Sequence, residues 1–138
     1  MLAAIKSGDA KELAELIRQD PGFNVNMRDA SGRSLLHHAC RESLSSSPMI
    51  PVLLARSDID VNLEDNLGHP PFHYACRYGH TACVREMLKD SRVTVNEADY
   101  TGYTPLWRAA RYGYLDIVKW WIGKGNGSRE TRGFRPDG

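Results

Sequence analysis

Three kinds of signal are scarce in this sequence, and each scarcity removes a class of protein. Net charge is nearly absent: 18 Lys and Arg against 17 Asp and Glu leave +1 over 138 residues, without the strong positive field of a domain that holds nucleic acid through its phosphates. Cysteine is sparse and odd in number. Cys40, Cys76 and Cys83 sit inside apolar runs, which argues against a disulfide framework and for reduced, buried thiols in an intracellular setting, cytoplasmic with the nucleus left open. Long apolar runs are missing. None approaches the roughly 18 residues needed to cross a bilayer, and Lys6 and Asp9 break the N-terminal stretch before a signal-peptide core forms. The sequence therefore reads as a chain neither secreted nor held in a membrane. Its 41% hydrophobic and 25% charged residues supply a packed core, which excludes disorder over the whole length.

What is present is repetition. The segments DASGRSLLHHAC from Asp29, DNLGHPPFHYAC from Asp65 and DYTGYTPLWRAA from Asp99 recur at intervals of 36 and 34 residues, and the pairs Val25-Asn26, Val61-Asn62 and Val95-Asn96 keep the same intervals. ACRYGHTACV and AARYGYLDIV then fall in one place relative to everything around them. A fixed period of this length marks a stacked-repeat architecture.

Local chemistry explains each unit. Gly32, Gly68 and Gly102 sit where a tight turn needs positive φ, and Thr104-Pro105 supplies an N-cap followed by Pro in the first helical turn. Gly79 and Gly113 end that short helix, and the spacing of Cys83, Val84, Met87 and Leu88, or of Ile117, Val118, Trp121 and Ile122, predicts a second. Helices this short are marginal alone. They must stack, and Ala39, Ala75 and Ala109 keep the helix contacts close. Asp29, Asp65 and Asp99, with Asn26, Asn62 and Asn96, read as turn formers bonding nearby backbone. The second unit runs 14 residues from Cys40 to Leu54, where the third takes 12 from Cys76 to Leu88. The excess reads as a bulged loop at Ser45–Ser47, with Ser47-Pro48 a candidate phosphorylation switch.

These segments resemble ankyrin repeats, whose pattern runs Asp, two variable residues, Gly, a variable residue, Thr-Pro-Leu-His, then Ala-Ala, Gly-His and a second apolar helix. DYTGYTPLWRAARYGYLDIVKWWI fits it most fully; Pro70 in place of Thr, Leu35 in place of Pro and Trp107 in place of His depart from it and alter capping locally. The resemblance covers about residues 1–123. It implies a mainly α solenoid of helix-turn-helix units with short hairpin-like turns, in units of about 1–28, 29–64, 65–98 and 99–123. Residues 124–138, rich in Gly and charge, read as a flexible tail. The first unit, without its turn, reads as a cap or as the cut edge of a longer array.

A face follows from the register. Between the Ala pair and the Gly lie Lys6-Ser7, Arg41-Glu42, Arg77-Tyr78 and Arg111-Tyr112, a cation in every unit. The resemblance places this column beside the turn tips, where both line a concave binding face. The partner-binding candidates are Arg33, Arg41, Asn66, Leu67, His69, Tyr74, Arg77, Tyr78, Tyr100, Thr101, Tyr103, Arg108, Arg111 and Tyr112, with Arg28, Ala30, Ser31, Glu64, Ala98 and His38 around them. Cations about 10 Å apart repel by only about 0.4 kcal/mol in water, so the column is tolerated whether or not it has a role. Arg and Tyr are nevertheless the residue types that dominate interface hot spots. The expectation is a non-catalytic module binding a protein partner with an acidic segment, with nucleic acid disfavoured by Glu42 and Glu64. The alternative is a scaffold fragment, or an engineered or selected chain, that self-associates through the last helix at Trp120.

His37 with Cys40 and His73 with Cys76 repeat a His-x-x-Cys spacing that zinc or a Cys-His nucleophile would use. The resemblance instead gives the histidines to hydrogen bonds between hairpins and the cysteines to the small buried position, so neither metal, cofactor nor catalysis is expected from that spacing. It also implies that the Val-Asn asparagines are of the type an intracellular asparaginyl hydroxylase modifies.

Overall fold

A computed structural model describes residues 2–42 and 48–123. Ser47, the tail from Lys124, and the side chains of Lys6 and Trp120 lie outside the described residues, and with them the expectations placed there. Eight helices run through the described residues: α1 Leu2–Ser7, α2 Ala10–Gln19, α3 Leu35–Arg41, α4 Met49–Leu54, α5 Pro71–Arg77, α6 Thr81–Leu88, α7 Pro105–Arg111 and α8 Leu115–Gly123. The odd-numbered helices pack on one another in one layer (α1 on α3, α3 on α5, α5 on α7) and the even-numbered ones in a second, each pair closing on itself. No strand occurs among the described residues. The hairpin-like segments are turns, and the architecture is an all-helical solenoid.

Ala39, Ala75 and Ala109 are fully buried, and their methyl side chains let neighbouring helices of the first layer approach closely. Leu36, Phe72 and Leu106 fill the same layer, while Ile50, Leu53, Val84, Met87 and Ile117 fill the seam to the second. Burying one such side chain contributes roughly 1.5–3 kcal/mol. No one unit encloses this core, so the stack rather than the helix is the unit of stability. Cys40, Cys76 and Cys83 are buried.

Each turn is tied by its aspartate. Asp65 Oδ1 accepts from the backbone N–H of Leu67 at 3.0 Å and His69 at 2.9 Å, and Asp29 and Asp99 repeat the arrangement. Gly32 and Gly68 hold φ of 78° and 82°, and the next turn also packs on them. A Cβ at Gly32 would stand 2.8 Å from the Asn66 backbone nitrogen, and one at Gly68 2.5 Å from the Tyr100 ring. Only glycine permits that approach.

The asparagines act over a longer range than their turn-forming chemistry predicts. Asn26 donates Nδ2 to the Asp58 carbonyl at 2.9 Å and accepts from the Asp60 N–H at 2.7 Å. Asn62 does the same to Arg92 and Thr94 at 2.8 and 2.7 Å. Their amides therefore stitch one unit to the next.

Candidate functional site

The residues expected on the exposed face divide into two sets. One is consumed in holding the turns. Nine positions after each turn aspartate, the odd-numbered helix directs a polar side chain back to it: His38 Nε2 lies 2.8 Å from Asp29 Oδ2, the Tyr74 hydroxyl donates to Asp65 Oδ2 in a short bond, and Arg108 Nη2 donates to Asp99 Oδ2 at 2.9 Å. Arg33 crosses between units, with Nη2 donating to the Tyr74 hydroxyl at 3.3 Å and Nε 3.5 Å from Asp65 Oδ2. Tyr74 is 1% exposed and His69 8%, and Arg41 stacks its guanidinium over the Tyr74 ring at 5.5 Å. Asn66 spends its backbone N–H and Nδ2 on the carbonyls of Ser31 and Ala30, at 3.0 and 2.9 Å. Thr101 donates to Asp99. Tyr74 and His69 thus offer no surface to a partner, and Arg33, Asn66 and Arg108 are already committed within the chain.

The electrostatics follow from these bonds. Burial alone would raise the Asp65 carboxyl, but the hydrogen bonds from Tyr74, His69 and Leu67 more than offset it and hold the group below its ordinary value. Asp99 is likewise opposed by burial, and the bonds from Thr101, Arg108 and Tyr103 carry it well below the usual carboxylate range. Both are ionised at neutral pH.

The second set remains outward. Leu67, Tyr78, Tyr100, Tyr103 and Tyr112 are exposed, at 57%, 42%, 74%, 37% and 45%, and Arg111 is exposed beside them. Neither Arg77 nor Arg111 forms an ion pair among the described residues, whereas Arg33, Arg56, Arg92 and Arg108 do. The aromatic side chains are pre-set by contact: Tyr78 stacks on buried Tyr74 at 6.2 Å with the Arg77 guanidinium 5.7 Å from its own ring, and Tyr103 stacks on Trp107 at 3.8 Å. Trp107, standing where the repeat pattern has His, is therefore the floor beneath Tyr103.

The His-x-x-Cys pairs separate into structural roles and one exception. His37 closes a capping box with Ser34, whose hydroxyl lies 3.0 Å from Nδ1, and its Nε2 lies 2.8 Å from the His69 carbonyl of the next turn. Burial raises the thiols of Cys40 and Cys76 well above their ordinary value, which leaves them protonated and poor nucleophiles. His73 departs. Pro70 gives its helix no side-chain cap, and the ring lies parallel on His69 with centroids 3.7 Å apart. Burial first, then the neighbouring His69 and Arg108, push its pKa down to about 3.

Reading the sequence by columns missed the nine-residue link between turn aspartate and helix. The signal was there in the recurrence of a polar residue, His38, Tyr74 or Arg108, at that offset. It also missed Arg56 and Arg92 on the loops after α4 and α6. Arg92 donates to the carbonyls of Leu54 and Arg56, at 2.6 and 3.2 Å, and Arg56 to that of Phe23 at 3.4 Å.

Two helical layers, glycine turns seated on their successors and amides bridging adjacent loops define a stacked-repeat helical solenoid. A family model described as ankyrin repeats in three copies matches residues 1–95 and, in a second overlapping match, 43–129. The chain belongs to the ankyrin-repeat family, whose members are generally protein–protein interaction modules and typically not enzymes. No curated protein matches it. No helix among the described residues is long and apolar enough to cross a membrane.

Proposed function

We propose that this chain is a non-catalytic protein-binding module whose partner, bearing an acidic segment, lies across the turn tips and the ends of α3, α5 and α7. The observation that carries this reading is the co-occurrence of four exposed tyrosines and Leu67 with Arg77 and Arg111, cations that no described carboxylate neutralises. Tyrosine brings contact area at low entropic cost, and unpaired arginine meets a carboxylate in a bidentate fork. The scaffold beneath is held by Asp65, Asp99 and the glycine seats, so little ordering entropy opposes association.

Affinity capture with the wild-type chain beside the Arg77→Ala/Arg111→Ala variant identifies partners that depend on the face. In titration of such a partner, Arg77→Ala and Tyr112→Ala each weaken binding by at least about 1 kcal/mol with the melting temperature nearly unchanged. Unchanged affinity in both removes the face from the account.

A second reading rests on α8, where Leu115 and Ile122 are 62% and 57% exposed. Apolar side chains exposed on this helix favour self-association through it. Solution mass measured over a concentration series tests it: a rise abolished by Leu115→Glu supports the second reading, and a constant monomer mass ends it.

A further inference from the structure

The third and fourth units bury a cluster of metal-ligating side chains apart from the exposed face. His69, His73 and Asp99 are 8%, 1% and 8% exposed, and one ligand atom from each lies within 4.8 Å of the other two. His69 Nε2 stands 3.4 Å from Asp99 Oδ2. Two ligands on one tetrahedral zinc ion, with bonds of about 2.0–2.1 Å, lie about 3.4 Å apart, so this pair already has the required separation. His73 Nε2 is buried with no hydrogen-bond partner among the described residues. The equivalent ring one unit earlier is fully used, His37 bonding Ser34 on one side and the His69 carbonyl on the other. Pro70 occupies the place of Ser34 and has no hydroxyl to pin the ring. A buried imidazole nitrogen without a partner is costly, which favours a ligand there.

We propose that His69, His73 and Asp99 form a binding site for a transition-metal ion of the zinc class, with the Arg108 guanidinium as the cation that holds Asp99 when the metal is absent. Two imidazoles and a carboxylate suit zinc and leave a fourth position for water. Both imidazoles are buried, and the neutral ring is the form that ligates. Binding takes two movements. The His73 ring turns out of its stack, because the in-plane lone pairs of parallel rings do not converge, and Arg108 Nη2, 2.9 Å from Asp99 Oδ2, gives up that oxygen. Metal and Arg108 therefore compete for one carboxylate, a signature that a surface histidine would not share.

The test is titration of the reduced, chelator-stripped full chain with Co²⁺ near neutral pH, followed by displacement with Zn²⁺. The expected result is one equivalent bound, with visible d–d absorption and no thiolate charge-transfer band. His73→Ala and Asp99→Asn each lower affinity at least about tenfold, Arg108→Met raises it, and His80→Ala leaves it unchanged. Should either ligand variant lose its far-UV circular dichroism, the wild-type spectrum and the Arg108→Met response decide. Absence of stoichiometric Co²⁺ binding by the wild-type chain overturns the proposal. So does a thiolate band, or unaltered affinity in a folded His73→Ala or Arg108→Met variant.

Discussion

Replacing Tyr74 by Phe removes one oxygen atom and should cost about 2 kcal/mol. The hydroxyl donates to Asp65 Oδ2 and accepts from Arg33 Nη2, and it lies in a site where Tyr74 is 1% and Asp65 4% exposed. A hydrogen bond to a charged group contributes about 1.5–3 kcal/mol, and deleting one partner leaves the buried acceptor unsatisfied. Arg33 Nε, 3.5 Å away, retains part of the neutralisation and keeps the cost from reaching the upper limit. For a domain of this size the melting temperature falls by roughly 5–10 °C. The assay is urea unfolding of both proteins followed by circular dichroism and by tryptophan fluorescence. A lower midpoint at unchanged slope assigns the loss to the folded state. Since the bond serves an ionised carboxylate, the difference should shrink once Asp65 protonates in acid. Tyr78→Phe, altered on a side chain 42% exposed, is the control and should change little. A loss under about 0.5 kcal/mol for Tyr74→Phe, or one equal to that of Tyr78→Phe, refutes the reasoning that this hydroxyl clamps the turn.

Other consequences follow from the same contacts. Asn62→Ala deletes both bonds to the next loop and should cost about 1–2 kcal/mol in the urea midpoint; an unchanged midpoint would mean that the stitching is decorative. Cys40, Cys76 and Cys83 are each no more than 1% exposed, so a thiol reagent should label all three only as the chain opens, at least about a thousandfold more slowly than a free thiol. Rapid labelling would place them elsewhere. In metal-free buffer stability should decline in acid in two stages. Burial lowers the His37 pKa below its ordinary 6.5. Below that pH the unfolded chain takes up the proton first, so stability falls. Asp65 and Asp99 lie below their ordinary 3.8; their contribution is intact above that value and disappears as pH drops through their folded values. A melting temperature flat down to pH of about 4 would contradict the first stage.

Local rules carried much of the fold. Gly32 and Gly68 declared the turns because no other residue accepts that φ beside a packed neighbour, Thr104-Pro105 declared a helix start, and the buried cysteines were legible from the apolar runs around them. Partners distant in sequence were not legible. Nothing in Val-Asn says that Asn26 reaches Asp58 and Asp60, because those bonds exist only after two units have stacked in register. Tyr74 illustrates the same limit at the face. Its column position read as surface, yet Asp65, Arg33 and Arg41 close over it. The Pro70 departure was visible as a capping change, but its larger effect, releasing the His73 ring to lie on His69, depends on where the neighbouring turn places that second imidazole.

The most direct test of the central claim, that the outward tyrosines and unpaired arginines are the recognition surface, is to follow the backbone amide resonances of the labelled chain as a captured partner is added. The account predicts shifts concentrated at Leu67, Arg77, Tyr78, Tyr100, Tyr103, Arg111 and Tyr112, with the loops carrying Arg56 and Arg92 left in place. Shifts confined to α4, α6 and those loops, with the tyrosine face silent, would contradict it.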